Sequence, residues 1–199
     1  MAVQLIDLKC SGCGSALAPS QSFCEYCGNA VVVTSLGDFA GRPLSDIAKL
    51  AKALEKDAAT AEGDEAAQIN LTLAHAYLEK RDYEKALQKY DALRDDMLAD
   101  AYYGSAIALL KGQKPFIAPL LDIKQIIGRL ETAFRIENKG VYKLLLAYIK
   151  LDFHARRCLR VSPGWDEEFG EALANNLSPA DAASLFQILG VQQPSALAF

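Results

Sequence analysis

From about residue 44 onward, apolar side chains return every three or four positions, the spacing of one buried face on an α-helix. Leu44, Ile47, Ala48, Leu50, Ala51 and Leu54 trace the first such face, and Ser45 is placed to cap its start. A second helix opens at Asp64 and runs to about Lys80, with Ile69, Leu73, Ala76 and Tyr77 inward. Asp82 can cap a third, which carries Tyr83, Ala86, Leu87, Tyr90 and Leu93. A fourth starts at Asp96 or Asp100 and ends near Gly112, where a loop holding Pro115 and Pro119 breaks the pattern. The fifth helix is predicted over Leu120 to Ile136 and the sixth from Gly140 to about Arg160. Two closing helices follow, one with Trp165, Phe169, Ala172 and Leu173 as its stripe. The other starts at Ser178-Pro179-Ala180-Asp181, buries Leu185, Ile188 and Leu189, and stops at Gly190. The last residues, Pro194 to Phe199, read as loose or as a short docking peptide.

The first part of the chain is different. Short β-type runs, Leu5 to Leu8 and Val31 to Thr34, bracket Cys10-Ser-Gly-Cys13-Gly14 and Cys24-Glu-Tyr-Cys27-Gly28. Each C-x-x-C lets two thiolates of one tight turn reach the same ion, and the glycine after it can adopt positive φ. Two such knuckles supply a closed tetrahedral set of four sulfurs, Cys10, Cys13, Cys24 and Cys27, with no coordination site left for water or substrate. Residues 5 to 34 resemble the N-terminal zinc ribbon of many bacterial proteins, through the C-x-x-C-G repeats, Phe23 before the second pair and the hydrophobic run after it. The resemblance implies one structural Zn2+ on a small β module whose folding free energy is its metal binding. Two alternatives stay open: a pair of disulfides, and a rubredoxin-like iron site that would make the protein an electron carrier. That iron family spaces its pairs more widely and carries more aromatic residues around them.

The helical part has its own likeness. Leu73-Ala74-His75-Ala76-Tyr77, the turn Arg81-Asp82-Tyr83, then Ala86 and Tyr90 resemble a tetratricopeptide repeat, which prefers Gly before the Asp. A second Leu-x-x-Ala-Tyr stands at Leu144, Ala147 and Tyr148, close to two repeat lengths further on. The expected fold is therefore mainly α. A small β zinc ribbon (1–36) and a linker (37–43) lead into an α-α solenoid of about three helix pairs (44–160), closed by a C-terminal helical cap and tail (161–199). An irregular helical bundle with a single repeat-like hairpin is the alternative. Stacked hairpins expose a long concave surface, which suits a partner peptide or helix rather than chemistry.

Charge adds one feature. Residues 124–160 hold nine basic and three acidic side chains, a net of +6, whereas residues 161–199 hold five acidic ones and no Lys or Arg. Either the basic helices neutralise the acidic tail inside the fold, or they form a surface for an acidic partner such as nucleic acid. The ribbon alone offers only Lys9 to a phosphate. No apolar run approaches the length that crosses a bilayer, and no secretory signal is evident, so a cytoplasmic protein without a membrane partner is expected. His75 reads as a surface or groove residue. His154 and Cys158 would share a helix face but lack a carboxylate partner, which leaves Cys158 as a buried structural thiol. No phosphate loop, nucleophile elbow, metalloprotease motif or small-molecule site stands out. The expected function is non-catalytic: an adaptor or assembly factor that grips a protein partner.

Overall fold

The computed structural model describes residues 13–15, 23–29, 36–39, 43–93 and 98–199. The chain is mainly helical, and there is no strand among the described residues. The expected runs Leu5–Leu8 and Val31–Thr34, Cys10, Lys9 and Asp96 lie outside them.

Eight α-helices follow one another: α1 (Leu44–Asp57), α2 (Gly63–Glu79), α3 (Tyr83–Ala92), α4 (Ala99–Leu110), α5 (Leu120–Ile136), α6 (Gly140–Ile149), α7 (Trp165–Ala174) and α8 (Pro179–Leu189). Local chemistry sets several ends. Asp82 accepts a hydrogen bond from Lys85 N at the start of α3. At α8, Ser178 accepts from Asp181 N while the Asp181 carboxylate accepts from Ser178 N, a reciprocal cap before Pro179. Caps of this kind are worth about 1 kcal/mol each. Gly190 ends α8 in the left-handed region (φ 66°). Ser45 makes no cap; α1 already begins at Leu44, where the Pro43 carbonyl accepts the first helical bonds, from Asp46 N and Ile47 N.

Consecutive helices from α1 through α7 pack in turn, and α2 on α4 and α6 on α8 pack as well. The rings of Tyr103 and Tyr142, 5.0 Å apart, and the hydrogen bond from Tyr142 to Asp100 join α4 to α6. The even-numbered helices thus form a row. The turn Leu36–Phe39, in the stretch around the expected linker, packs against both α2 and α8, the two ends of that row. Helix axes pack 8–10 Å apart, so a flat row of four would part its end helices by roughly 27 Å. A four-residue 3₁₀ turn is only about 8 Å long. The row must therefore curl around this turn, and Leu36 and Phe39 are buried within the curl.

Packing along the row is tight. His75 is fully buried on α2, against the expectation of a surface or groove position; its Nδ1 lies 2.7 Å from the Tyr90 hydroxyl and its ring meets Phe39 edge-on. Helical periodicity places a side chain on a face, but the curl that covers that face is a long-range property. Gly104 of α4 lies directly against the Tyr90 ring, where an added Cβ would stand 2.3 Å from Cζ. Gly104→Ala is expected to lower stability by about 1–3 kcal/mol in urea unfolding, because the buried ring has no free space to enter.

The sixth expected helix is interrupted. After α6 the backbone passes through a π-helical turn (Lys150–His154) and a 3₁₀ turn (Ala155–Arg157), ending at Cys158 with φ 56°. The extra residue per turn lets consecutive Asp152 and Phe153 both face inward. Asp152 there accepts from Phe116 N at 2.8 Å and from Arg156 at 2.7 Å. Cys158 is consequently exposed rather than buried, and it lies beyond the helical run that would have aligned it with His154. At the C-terminus Leu197 is fully buried, in a short turn that packs on α6.

Candidate functional site

Three cysteines come together next to α1 and α2. The Sγ atoms of Cys13, Cys24 and Cys27 all lie within 4.8 Å of one another, and this is the cluster of potential metal ligands among the described residues. The Cys13 and Cys24 sulfurs are 3.6 Å apart. A disulfide needs about 2.05 Å. Four sulfurs about 2.3 Å from one ion have tetrahedral edges of about 3.8 Å. The observed separation fits thiolates arranged around a metal.

The backbone makes this arrangement. Gly14 (φ 71°) and Gly28 (φ 74°) each follow a cysteine and turn the chain in a way an L-residue resists. Gly28 N donates to Cys24 O and Cys24 N to Asn29 O, both at 2.8 Å, which closes the second knuckle. Ser15, which the motif does not predict, places its Oγ 3.0 Å from Cys13 Sγ and 3.1 Å from Cys24 Sγ. That hydroxyl, followed by the backbone of Cys27, holds the Cys24 thiol down to about 6, and Ser15 also lowers Cys13. Both are thereby biased toward the thiolate that binds metal. Cys24 is 2 % exposed, whereas Cys13 and Cys27 face outward. The three residues fit a metal ion. Cys10, the expected fourth ligand, lies outside the described residues.

The knuckle is seated on the helices. Phe23 packs against the main hydrophobic core, and with Gly28 and Asn29 it borders a hollow of about 510 Å³ whose other wall includes Leu54, Ala61 and Ile69.

A second hollow, of about 470 Å³, opens on the row beside the Leu36–Phe39 turn. Tyr103, Val141, Leu185 and Ile188 give it apolar walls, with Asp100, Lys139 and Ser184 as polar points. The Ser184 hydroxyl is buried without a hydrogen-bond partner. Beyond Lys139 and Asp181 the hollow adjoins another, bordered by Asn138, Asn175 and Asn176.

The charge reversal between residues 124–160 and the tail is met in part within the fold, by two of the nine cations. Lys143 and Lys150 both reach Glu168 on α7, and Lys143 also reaches Glu171. Arg129 pairs with Asp91, Lys139 with Asp100 and Glu137, and Arg156 with Asp152. Five of the nine cations in the segment are so engaged. No helix among the described residues is long and apolar enough to cross a membrane. No protein-family model, curated protein or solved structure matches the chain.

Proposed function

We propose that the protein is a non-catalytic protein–protein interaction adaptor or assembly factor. Its head is a structural zinc ribbon held by Cys10, Cys13, Cys24 and Cys27, and its body is a tetratricopeptide-like solenoid whose groove takes a segment of a partner protein. The observation that carries this reading is the Leu36–Phe39 turn, a short peptide whose Leu36 and Phe39 side chains are already buried by the inner face of the helical row. A face that accepts one such peptide, with an apolar hollow of about 470 Å³ next to it, has the shape and chemistry for another. The row helices begin at Gly63, Ala99, Gly140 and Pro179, so their starts are 36, 41 and 39 residues apart. This modest excess over a 34-residue unit supports a degenerate repeat rather than an unrelated bundle. Three clustered sulfurs with a closing hydroxyl support a metal of thiolate preference, zinc above others. A nucleic-acid role for Lys124–Arg160 draws less support, because most of its cations are already paired.

The test is a chemical cross-linking capture with the full chain, run beside Ile188→Glu, which puts a charge into the groove wall. The same partner is expected to be recovered at least about tenfold less with the variant, from a loss of roughly 1.4 kcal/mol or more. Both proteins should give the same far-ultraviolet dichroism. No specific partner, or equal recovery, counts against the reading.

A further inference from the structure

A second surface on this molecule pairs exposed apolar side chains with cations. Ile117, Leu120 and Leu121 are 63 %, 52 % and 66 % exposed, three large apolar residues within five positions at the entry to α5. Soluble surfaces scatter such residues singly; a cluster marks a contact site. The short turn Pro115–Ile117 packs against the π-helical turn, and Arg157 donates to the Phe116 carbonyl. Arg156 and Arg157 stack on the Phe116 ring, 4.5 and 5.0 Å from its centre. Lys114 and Lys124 flank the apolar trio in sequence and are exposed. Four cations (Lys114, Lys124, Arg156 and Arg157, of which Arg156 is paired with Asp152) thus accompany two acids, Asp122 and Asp152, on a chain whose net charge is −4.

We propose that this surface docks the protein peripherally on an anionic lipid membrane, with Ile117, Leu120 and Leu121 entering the headgroup layer and the cations facing the lipid charge. Two features favour a bilayer over a peptide. The apolar side chains are exposed and border none of the hollows described above, so they form an open patch rather than the wall of one of those grooves. Their fringe is positive although the protein as a whole is negative, which selects an anionic surface. The expectation of no membrane partner rested on the lack of a spanning run, and a peripheral contact needs none. This inference is independent of the groove.

The test is co-sedimentation of the full chain with phosphatidylcholine vesicles, with and without about 30 mol % phosphatidylserine, a charge density in the range of an anionic leaflet. Binding is expected on the anionic vesicles alone, and it should fall as salt shortens the Debye length. Each cation near such a surface contributes about 1 kcal/mol, so Lys124→Glu, one turn from Leu120 and Leu121 on α5, should weaken partitioning at least about fivefold. The triple change Ile117→Ser, Leu120→Ser, Leu121→Ser should weaken it more than tenfold, from lost apolar burial of about 0.8 kcal/mol per CH₂. Lys124→Glu leaves the apolar residues untouched, so it remains decisive if the triple variant folds poorly. Absence of binding to anionic vesicles overturns the proposal, as does wild-type binding by either variant. If the wild-type chain self-associates, the triple variant does not, and neither binds vesicles, the surface is a contact between copies and the membrane proposal fails.

Discussion

Cys24→Ser is expected to abolish metal binding and to release the knuckle from the helical body. Cys24 is the buried sulfur of the cluster, Ser15 lies against it, and its backbone closes the second turn at both ends. Serine supplies no soft ligand, and small metal-folded modules draw on the order of 10 kcal/mol of their folding free energy from the ion. Metal content by elemental analysis should fall from one ion per chain to below about a tenth of that. The effect should spread only one layer further. Phe23, next in the chain, would lose its seat by Leu54, Ala61 and Ile69, and the α1 and α2 amides there should exchange faster. The curled row, held by its own core, should keep its far-ultraviolet helical signal. Cys158→Ser, at an exposed position far along the chain, is the control that should retain full metal. Retention of metal by Cys24→Ser would refute the assignment. Collapse of the helical signal would show that head and row unfold as one unit.

The sequence carried the helices well because their information is local. Period, caps and breakers placed α5 at Leu120–Ile136 and set the starts of α3 and α8 at Asp82 and Ser178. It failed where the deciding contact lies far away in the chain. Leu44 and Leu173 belong to apolar stripes, yet both are exposed, because each stripe is wider than the neighbour that covers it. The helix expected to reach Arg160 keeps its apolar residues but changes pitch, and only the partners of Asp152, at Phe116 and Arg156, reveal why. The curl itself has no local signature; it appears when Leu36 and Phe39 are found touching both α2 and α8. For the metal centre, spacing identified the cysteines directly. Ser15 was missed because a lone hydroxyl two residues from a cysteine carries no pattern, and its role depends on the fold of the knuckle.

Glu168→Gln is expected to be the most destabilising single change in the helical body, at about 3–5 kcal/mol. Lys150 and Glu168 form an ion pair with side chains only 6 % and 2 % exposed. Lys150 also donates to the Pro163 carbonyl at 2.9 Å, which ties the loop before α7 to the π-helical turn after α6. Removing the carboxylate charge leaves a buried ammonium with neutral acceptors only, the Pro163 carbonyl and the new amide oxygen, and takes from Lys143 one of its two carboxylates. The converse change, Lys150→Met, should cost less, since Glu168 keeps Lys143 at 2.8 Å and the methionine fills the vacated volume. The double variant Lys150→Met, Glu168→Leu should be more stable than Glu168→Gln alone, as apolar replacement of a whole buried pair escapes the uncompensated charge. Urea unfolding gives the order directly. At about 2–4 °C per kcal/mol for a chain of this size, the melting temperature of Glu168→Gln should fall by roughly 10 °C. A Glu168→Gln chain within about 1 kcal/mol of wild type would mean that water reaches Lys150. The pair would then act as a surface bridge, and α7 would be held to α6 chiefly by apolar packing and the Lys143–Glu171 contact.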